Sequence, residues 1–345
     1  MELTRTEVPV PAATAPLTRA DFASDQEVRW CPGCDDYAIL AQVQKTMPAL
    51  GIPRENIVIV SGIGCSSRFP YYMATYGFHT IHGRAPAIAT GLKIARPELS
   101  VWVVTGDGDG LSIGGNHLLH AMRRNVGLKI LLFNNRVYGL TKGQFSPTSE
   151  VGKKTKSSPM GSIERPVNPV SFALAAEATF VARVAAVDQD LLGKILRRAA
   201  VHRGVAFVEI LQNCPIFNDG TFDSLTDRRT KTDRTVLLEH GAPLIYGRQR
   251  DRGLALDGLD LRVTTATGDG ATSRLLVHDE QAPSATLAFL LSRLEDPVAV
   301  GVFRAVESPT FEDGVLRQER SAAREGKQAD LETLLYRGAD TWKVE

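Results

Sequence analysis

The chain has 345 residues, 43% apolar and 23% charged, with a formal net charge of +1. That composition predicts a globular protein with a large core, and a charge so near zero weighs against nucleic acid as the main partner. No apolar run reaches bilayer length, and residues 1–20 lack the basic start and apolar stretch of a secretion signal; four cysteines in so long a chain make no disulfide scaffold, so the expected setting is the reducing cytoplasm, away from membranes.

Residues 1–27 read as a polar arm rich in Pro and Ala, expected to be loose or draped over a partner. From Asp36 to Met47 the spacing of Ile39, Leu40, Val43 and Met47 predicts a helix. The run IVIVSGIG (57–64) predicts a buried strand entering a glycine turn. A helix over 85–95 follows, then a second strand, LSVWVVTGDGDG (99–110), also running into glycines. A helix over 113–127 leads to a third strand, LKILLFNN (128–135). After a polar loop over roughly 140–168 come a helix at 171–178 and a short strand at 180–184. The stretch 188–204 predicts a helix with Asp188 as its cap and Gly204 as its stop. VAFVEIL (205–211) predicts a fourth buried strand, ending just before Cys214. Beyond residue 240 only a helix near 284–294 and a strand near 298–304 are legible, and no chemical motif is.

Strands alternating with helices predict an α/β fold with a doubly wound, mainly parallel sheet. The expected layout is the arm at 1–27, a binding domain at 28–235 and a C-terminal extension at 236–345. In such sheets ligands sit beyond the carboxyl ends of the strands. Cys65, the GDGDG run, Asn134-Asn135 and Cys214 all follow predicted strands, so one sheet edge is expected to gather them.

Glycines after a strand let backbone N–H groups approach a phosphate. The acids within Gly106-Asp107-Gly108-Asp109-Gly110 would repel a bare phosphate, but they suit a Mg²⁺ ion bridging one. Asn135, at the end of the next strand, would add an amide oxygen. GDG, 25 residues and then NN resembles the shared mark of enzymes that use thiamine diphosphate.

The cysteines run C-x2-C-x30-C-x148-C. Structural zinc sites usually bring two close pairs, and only one is present here. A redox dithiol at CPGC would leave Cys65 and Cys214 unused. A [4Fe–4S] cluster takes four thiolates and tolerates scattered donors. Unrelated buried cysteines are the bland alternative.

WCPGC (30–34), GIGCSSR (62–68), YGFHTIHGR (76–84), TGDGDGLSIGGNH (105–117), NNRVYGLTKGQFSPT (134–148) and QNCP (212–215) resemble the β subunit of 2-oxoacid:ferredoxin oxidoreductases, nearest to the 2-oxoglutarate branch. The resemblance runs from about 25 to 250. It implies that Cys31, Cys34, Cys65 and Cys214 ligate one [4Fe–4S] cluster. It implies Mg²⁺ held by Asp107 and Asn135 through side chains and by Val137 through its carbonyl. Ile63, Gly64, Cys65, Ser66, His82, Gly108, Asp109, Gly139 and Leu140 would line the thiamine diphosphate site. Arg68 stands where the family places a cation near the far carboxylate of a dicarboxylic substrate, which suits the bidentate bonding of arginine. The motif often reads CPGCG; here Asp35 follows Cys34, and an anion pointing inward would lower the cluster's reduction potential.

The implied activity is conversion of 2-oxoglutarate and CoA to succinyl-CoA and CO₂, or the reverse, with electrons leaving to ferredoxin. The carboxylate that drives the aminopyrimidine in thiamine enzymes is not identifiable here; in the resembling family an α subunit supplies it. A heterodimer or a dimer of heterodimers is therefore expected. The alternatives are pyruvate or another 2-oxoacid as substrate, a non-redox thiamine enzyme with structural zinc, and a non-catalytic cluster-bearing electron carrier.

Overall fold

In the computed structural model of the chain, residues 11–13, 15–268, 272–325, 331–336 and 342 are described. Eleven strands form among them: β1 Ile57–Ser61, β2 Tyr76–His79, β3 Ser100–Gly106, β4 Leu128–Asn134, β5 Phe180–Ala185, β6 Ala206–Leu211, β7 Thr235–Leu238, β8 Ile245–Tyr246, β9 Arg252–Asp257, β10 Asp260–Thr265 and β11 Val298–Ala305. Eight of them make one sheet in the order β2-β1-β3-β4-β6-β5-β11-β7, and every pairing is parallel except β5 with β11. The doubly wound, mainly parallel α/β expectation is met.

The apolar strands are buried on both faces because alternate side chains feed two separate cores. Val58, Val60, Val101, Val103, Ile130 and Leu132 join one; Ile57, Ile59, Trp102, Val104, Leu131 and Phe133 join the other. The first core is completed by the helices α2 Ala85–Ala95, α4 Gly115–Arg123 and α5 Pro169–Ala175, and the second by α1 Asp36–Thr46 and α6 Gln189–Val201. Asp188 caps α6 as expected, its carboxylate accepting from the Leu191 N–H at 3.3 Å. The helix expected over 113–127 is shorter: α4 ends at Arg123, and Asn125 takes a left-handed conformation (φ 52°) that turns the chain into β4. GDGDG begins not a bare turn but the short helix α3, Asp107–Leu111.

The described part of the arm packs on its own chain. Phe22 is fully buried in the second core, and the Ala74 N–H donates to its carbonyl at 3.0 Å, so this aromatic anchors the segment. Residues 1–10 and 14 lie outside the described ones. The C-terminal stretch contributes to the main sheet through β7 and β11, besides forming the antiparallel sheet β10-β9-β8. The helix read near 284–294 spans Thr286–Ser292, and a second, unread one spans Phe311–Glu325. Among the described residues no helix is long and apolar enough to cross a membrane.

Candidate active site

From β1 the chain goes on to β2 on one side and from β3 to β4 on the other, so the β1/β3 boundary is a switch point of the sheet. A cavity of about 550 Å³ opens at the carboxyl ends there. The loop after β1 contributes Ile63, Gly64, Cys65 and Ser66, and the loop after β2 contributes His82. The turn after β3 contributes Asp107, Gly108 and Asp109. The loop after β4 contributes Asn135, Val137, Gly139 and Leu140. Every residue expected at the thiamine diphosphate and Mg²⁺ sites is thus on the wall of one cavity.

Asp109 ties three of these loops together. Its Oδ1 accepts from the N–H groups of Ile63 at 3.2 Å and Gly83 at 2.7 Å and lies 2.8 Å from His82 Nδ1; its Oδ2 accepts from the Thr105 hydroxyl at 2.6 Å. Gly62 makes this possible, since a Cβ there would fall 1.9 Å from Oδ2. Oδ1 is thus taken up by three protein groups and Oδ2 by one, with Asp109 on the cavity wall.

Asp107 is 2% exposed. Burial raises its pKa above the usual carboxylate value, and the hydroxyls of Ser146 and Thr148, donating to Oδ2 at 2.5 and 2.6 Å, pull it back. Thr148 Oγ1 also lies 3.0 Å from Asn134 Oδ1, and Asn134 Nδ2 donates to Glu209 at 2.7 Å. Between Asn135 and Val137, Arg136 adopts a left-handed backbone (φ 57°), and Asn135 Oδ1 accepts from the Val137 N–H at 3.1 Å. A carboxylate, an amide oxygen and a carbonyl here are the hard oxygen donors that a Mg²⁺ ion takes. Tyr138 closes one wall: its hydroxyl donates to the Gly108 carbonyl at 2.9 Å, and a Cβ on Gly108 would enter its ring at 2.3 Å.

The four cysteines share one neighbourhood beside this wall. A Cβ built on Gly139 would lie 3.5 Å from Cys65 Sγ and 3.7 Å from Cys214 Sγ, so both sulfurs border this glycine. Cys34 Sγ accepts from Gln212 Nε2 at 3.2 Å, and the Cys34 N–H donates to the Cys31 carbonyl at 3.1 Å within one turn. Asp35 points inward, accepting from the Asn213 N–H at 2.8 Å, and so fastens the CPGC turn to the loop bearing Cys214. Burial first, and then the Asp36 carboxylate, push the Cys65 thiol up to about 12 and raise Cys34 as well. Such thiols stay protonated unless a metal takes them as thiolates. Cys65 lies within electrostatic reach of Cys31 and Cys214, and Cys34 of Cys65 and Cys214; four thiols are the donor set that a [4Fe–4S] cluster takes. Among the described residues no three His, Cys, Asp or Glu side chains are grouped to hold a single metal ion.

Arg68 does not line the cavity. It is half-buried on the short helix Ser66–Tyr72, its guanidinium without an ion-pair partner among the described residues, and its charge opposes the upward shift of Cys65. Sequence reasoning missed Ser146, Thr148, Tyr138 and Gln212 as site residues, though all lie in stretches that carried the resemblance. It also missed Trp30, whose indole N–H donates to the Cys65 carbonyl at 2.7 Å.

Comparison with known proteins agrees with this geometry. Residues 62–210 match the thiamine pyrophosphate enzyme family, C-terminal TPP-binding domain. The chain is 56% identical over 343 residues to the 2-oxoglutarate oxidoreductase subunit KorB of Mycobacterium tuberculosis, covering 97% of this chain and 91% of that one. It is 46% identical over 186 residues to the 2-oxoglutarate synthase subunit KorB of Archaeoglobus fulgidus, covering 54% of this chain and 69% of that one. Among solved structures, a 2-oxoglutarate:ferredoxin oxidoreductase from Magnetococcus marinus, with 2-oxoglutarate, coenzyme A and succinyl-CoA bound, superposes with a TM-score of 0.76 at 31% identity, covering 96% of this chain and 100% of that one. The chain therefore belongs to the β subunits of the 2-oxoacid:ferredoxin oxidoreductases, among the KorB-like members, and is an oxidoreductase subunit with a thiamine diphosphate-binding domain.

Proposed function

We propose that this chain is the β subunit of a cytoplasmic 2-oxoglutarate:ferredoxin oxidoreductase that interconverts 2-oxoglutarate plus CoA with succinyl-CoA plus CO₂. The observation that carries this reading is the single cavity itself. It has Asp107 and Asn135 on its wall, with Cys65 and Cys214 flanking Gly139 at its edge.

In this reading Asp107, Asn135 and the Val137 carbonyl hold Mg²⁺, and the loops of Ile63–Ser66, Gly108 and Gly139–Leu140 receive thiamine diphosphate. Cys31, Cys34, Cys65 and Cys214 hold one [4Fe–4S] cluster. Bound thiamine diphosphate supplies an electron sink for decarboxylation, and the cluster supplies one-electron transfer towards ferredoxin. The chain's own residues position and insulate. The Asp109 carboxylate faces His82 Nδ1 and so orients the ring. Ser146 and Thr148 orient the Asp107 carboxylate. Ile63 and Leu140 form a lip that is 44% and 47% exposed. An α subunit covering that lip would exclude water and bring the carboxylate that is not identifiable in this sequence. Arg68, charged and unpaired, is the candidate partner for the far carboxylate of 2-oxoglutarate. Its place outside the cavity wall favours one second reading, the same chemistry on pyruvate or another 2-oxoacid.

The test is the chain copurified with its α subunit. Mg²⁺-dependent thiamine diphosphate binding and ferredoxin reduction that requires both 2-oxoglutarate and CoA are expected. A complex that binds no thiamine diphosphate contradicts the reading.

A further inference from the structure

Gln212 follows β6 and is 1% exposed. Its backbone N–H donates to the Asn134 carbonyl at 2.9 Å, so its main chain is pinned to the loop that carries Asn135. Its side chain reaches the other way. Nε2 donates to Cys34 Sγ at 3.2 Å and to the Asn213 carbonyl at 2.9 Å. A carbonyl oxygen can only accept, so that second bond fixes which end of the amide is nitrogen. The amide oxygen Oε1 is buried with no hydrogen-bond partner. An orphaned buried acceptor is destabilising, so what the amide contributes here lies in its Nε2 bonds, to Cys34 Sγ and to the Asn213 carbonyl. The same side chain borders the cavity.

We propose that Gln212 is a positioning residue for electron transfer: its N–H, held against the Cys34 sulfur, raises the reduction potential of the cluster. The inference rests on the cluster reading above. Reduction adds negative charge to a cluster and its thiolates. A donor already aimed at one of those sulfurs stabilises the reduced form more than the oxidised one. No proton moves and no bond breaks; the amide acts by orientation alone. Placed at the cavity wall, it favours passage of an electron from the cavity side onto the cluster.

Gln212→Met and Gln212→Leu both remove the donor while keeping bulk. Each is to be made in the complex with the α subunit and purified without oxygen. Iron and acid-labile sulfide give cluster content, and potentiometry followed by electron paramagnetic resonance gives the potential. Wild-type iron and sulfide with a potential displaced to more negative values in both variants is the expected result. A full cluster at the wild-type potential overturns the proposal. Loss of the cluster in both variants also overturns it, by making Gln212 an assembly residue. A wild-type complex without iron and sulfide is a different failure: it removes the cluster reading and this inference with it.

Discussion

His82 Nδ1 lies 2.8 Å from Asp109 Oδ1, and that contact fastens the loop after β2 to the turn after β3. The Gly83 and Ile63 N–H groups share the same oxygen, so one carboxylate sets the mutual position of three loops. Asp109→Ala would orphan two backbone N–H groups and a hydroxyl, at about 1–3 kcal/mol for each one that stays buried. A drop in melting temperature of several degrees is expected, together with weaker thiamine diphosphate binding by the complex. Gly62→Ala should do the same, because its Cβ needs the space of Asp109 Oδ2. Thermal melts and calorimetry check both; wild-type melting in Asp109→Ala would show that the loops do not depend on it.

Asp107→Ala should abolish Mg²⁺-dependent thiamine diphosphate binding. Thr148→Val should act in the same direction but less, because Ser146 still holds Oδ2. A hydrogen bond to a charged group contributes about 1.5–3 kcal/mol, so a 10- to 150-fold rise in Kd is the expected range. Isothermal titration with and without Mg²⁺ measures it. Tight binding retained in Asp107→Ala would end the assignment.

Arg68→Leu separates the two substrate readings. If Arg68 meets the far carboxylate of 2-oxoglutarate, KM for that acid should rise about 10- to 150-fold, with little change for pyruvate. Equal effects on both acids would remove the argument for a dicarboxylate.

The opposite end of the sheet should make stability sensitive to acid. Burial, then the charges of Lys129 and Arg198, depress the pKa of His202 to about 4 from an ordinary 6.5. The unfolded chain therefore binds a proton that the folded one refuses as pH falls from about 6.5 to about 4, and stability is lost across that window. His202 Nε2 lies 2.8 Å from the Thr179 hydroxyl. His202→Gln should have a flatter profile between pH 6.5 and 4. Denaturant melts at a series of pH values test this; an unchanged slope would mean that other groups set it.

What was legible followed burial. β1, β3, β4 and β6 are covered on both faces, so they show as unbroken apolar runs. β2 is an edge strand with all four residues exposed, and it carries no such run. The helix Phe311–Glu325 is rich in charge, and its large apolar residues are only Phe311, Val315 and Leu316, too few to stand out in the sequence. Asp107 and Asn135 could be paired in advance because neighbouring parallel strands bring their ends together. Ser146 and Thr148, 39 and 41 residues from Asp107, lie in a loop without periodicity, so nothing local pointed to their hydroxyls. Asp109 reads as a cofactor residue in sequence, yet backbone N–H groups take much of its capacity, and those are invisible in a string of side chains.

The most direct test of the account is the content of iron, acid-labile sulfide and zinc in the chain, purified without oxygen together with its α subunit. About four irons and four sulfides per chain are predicted, with the cluster's visible absorbance lost in Cys214→Ser. One zinc and no sulfide would contradict it, leaving a thiamine enzyme with no path for electrons to ferredoxin.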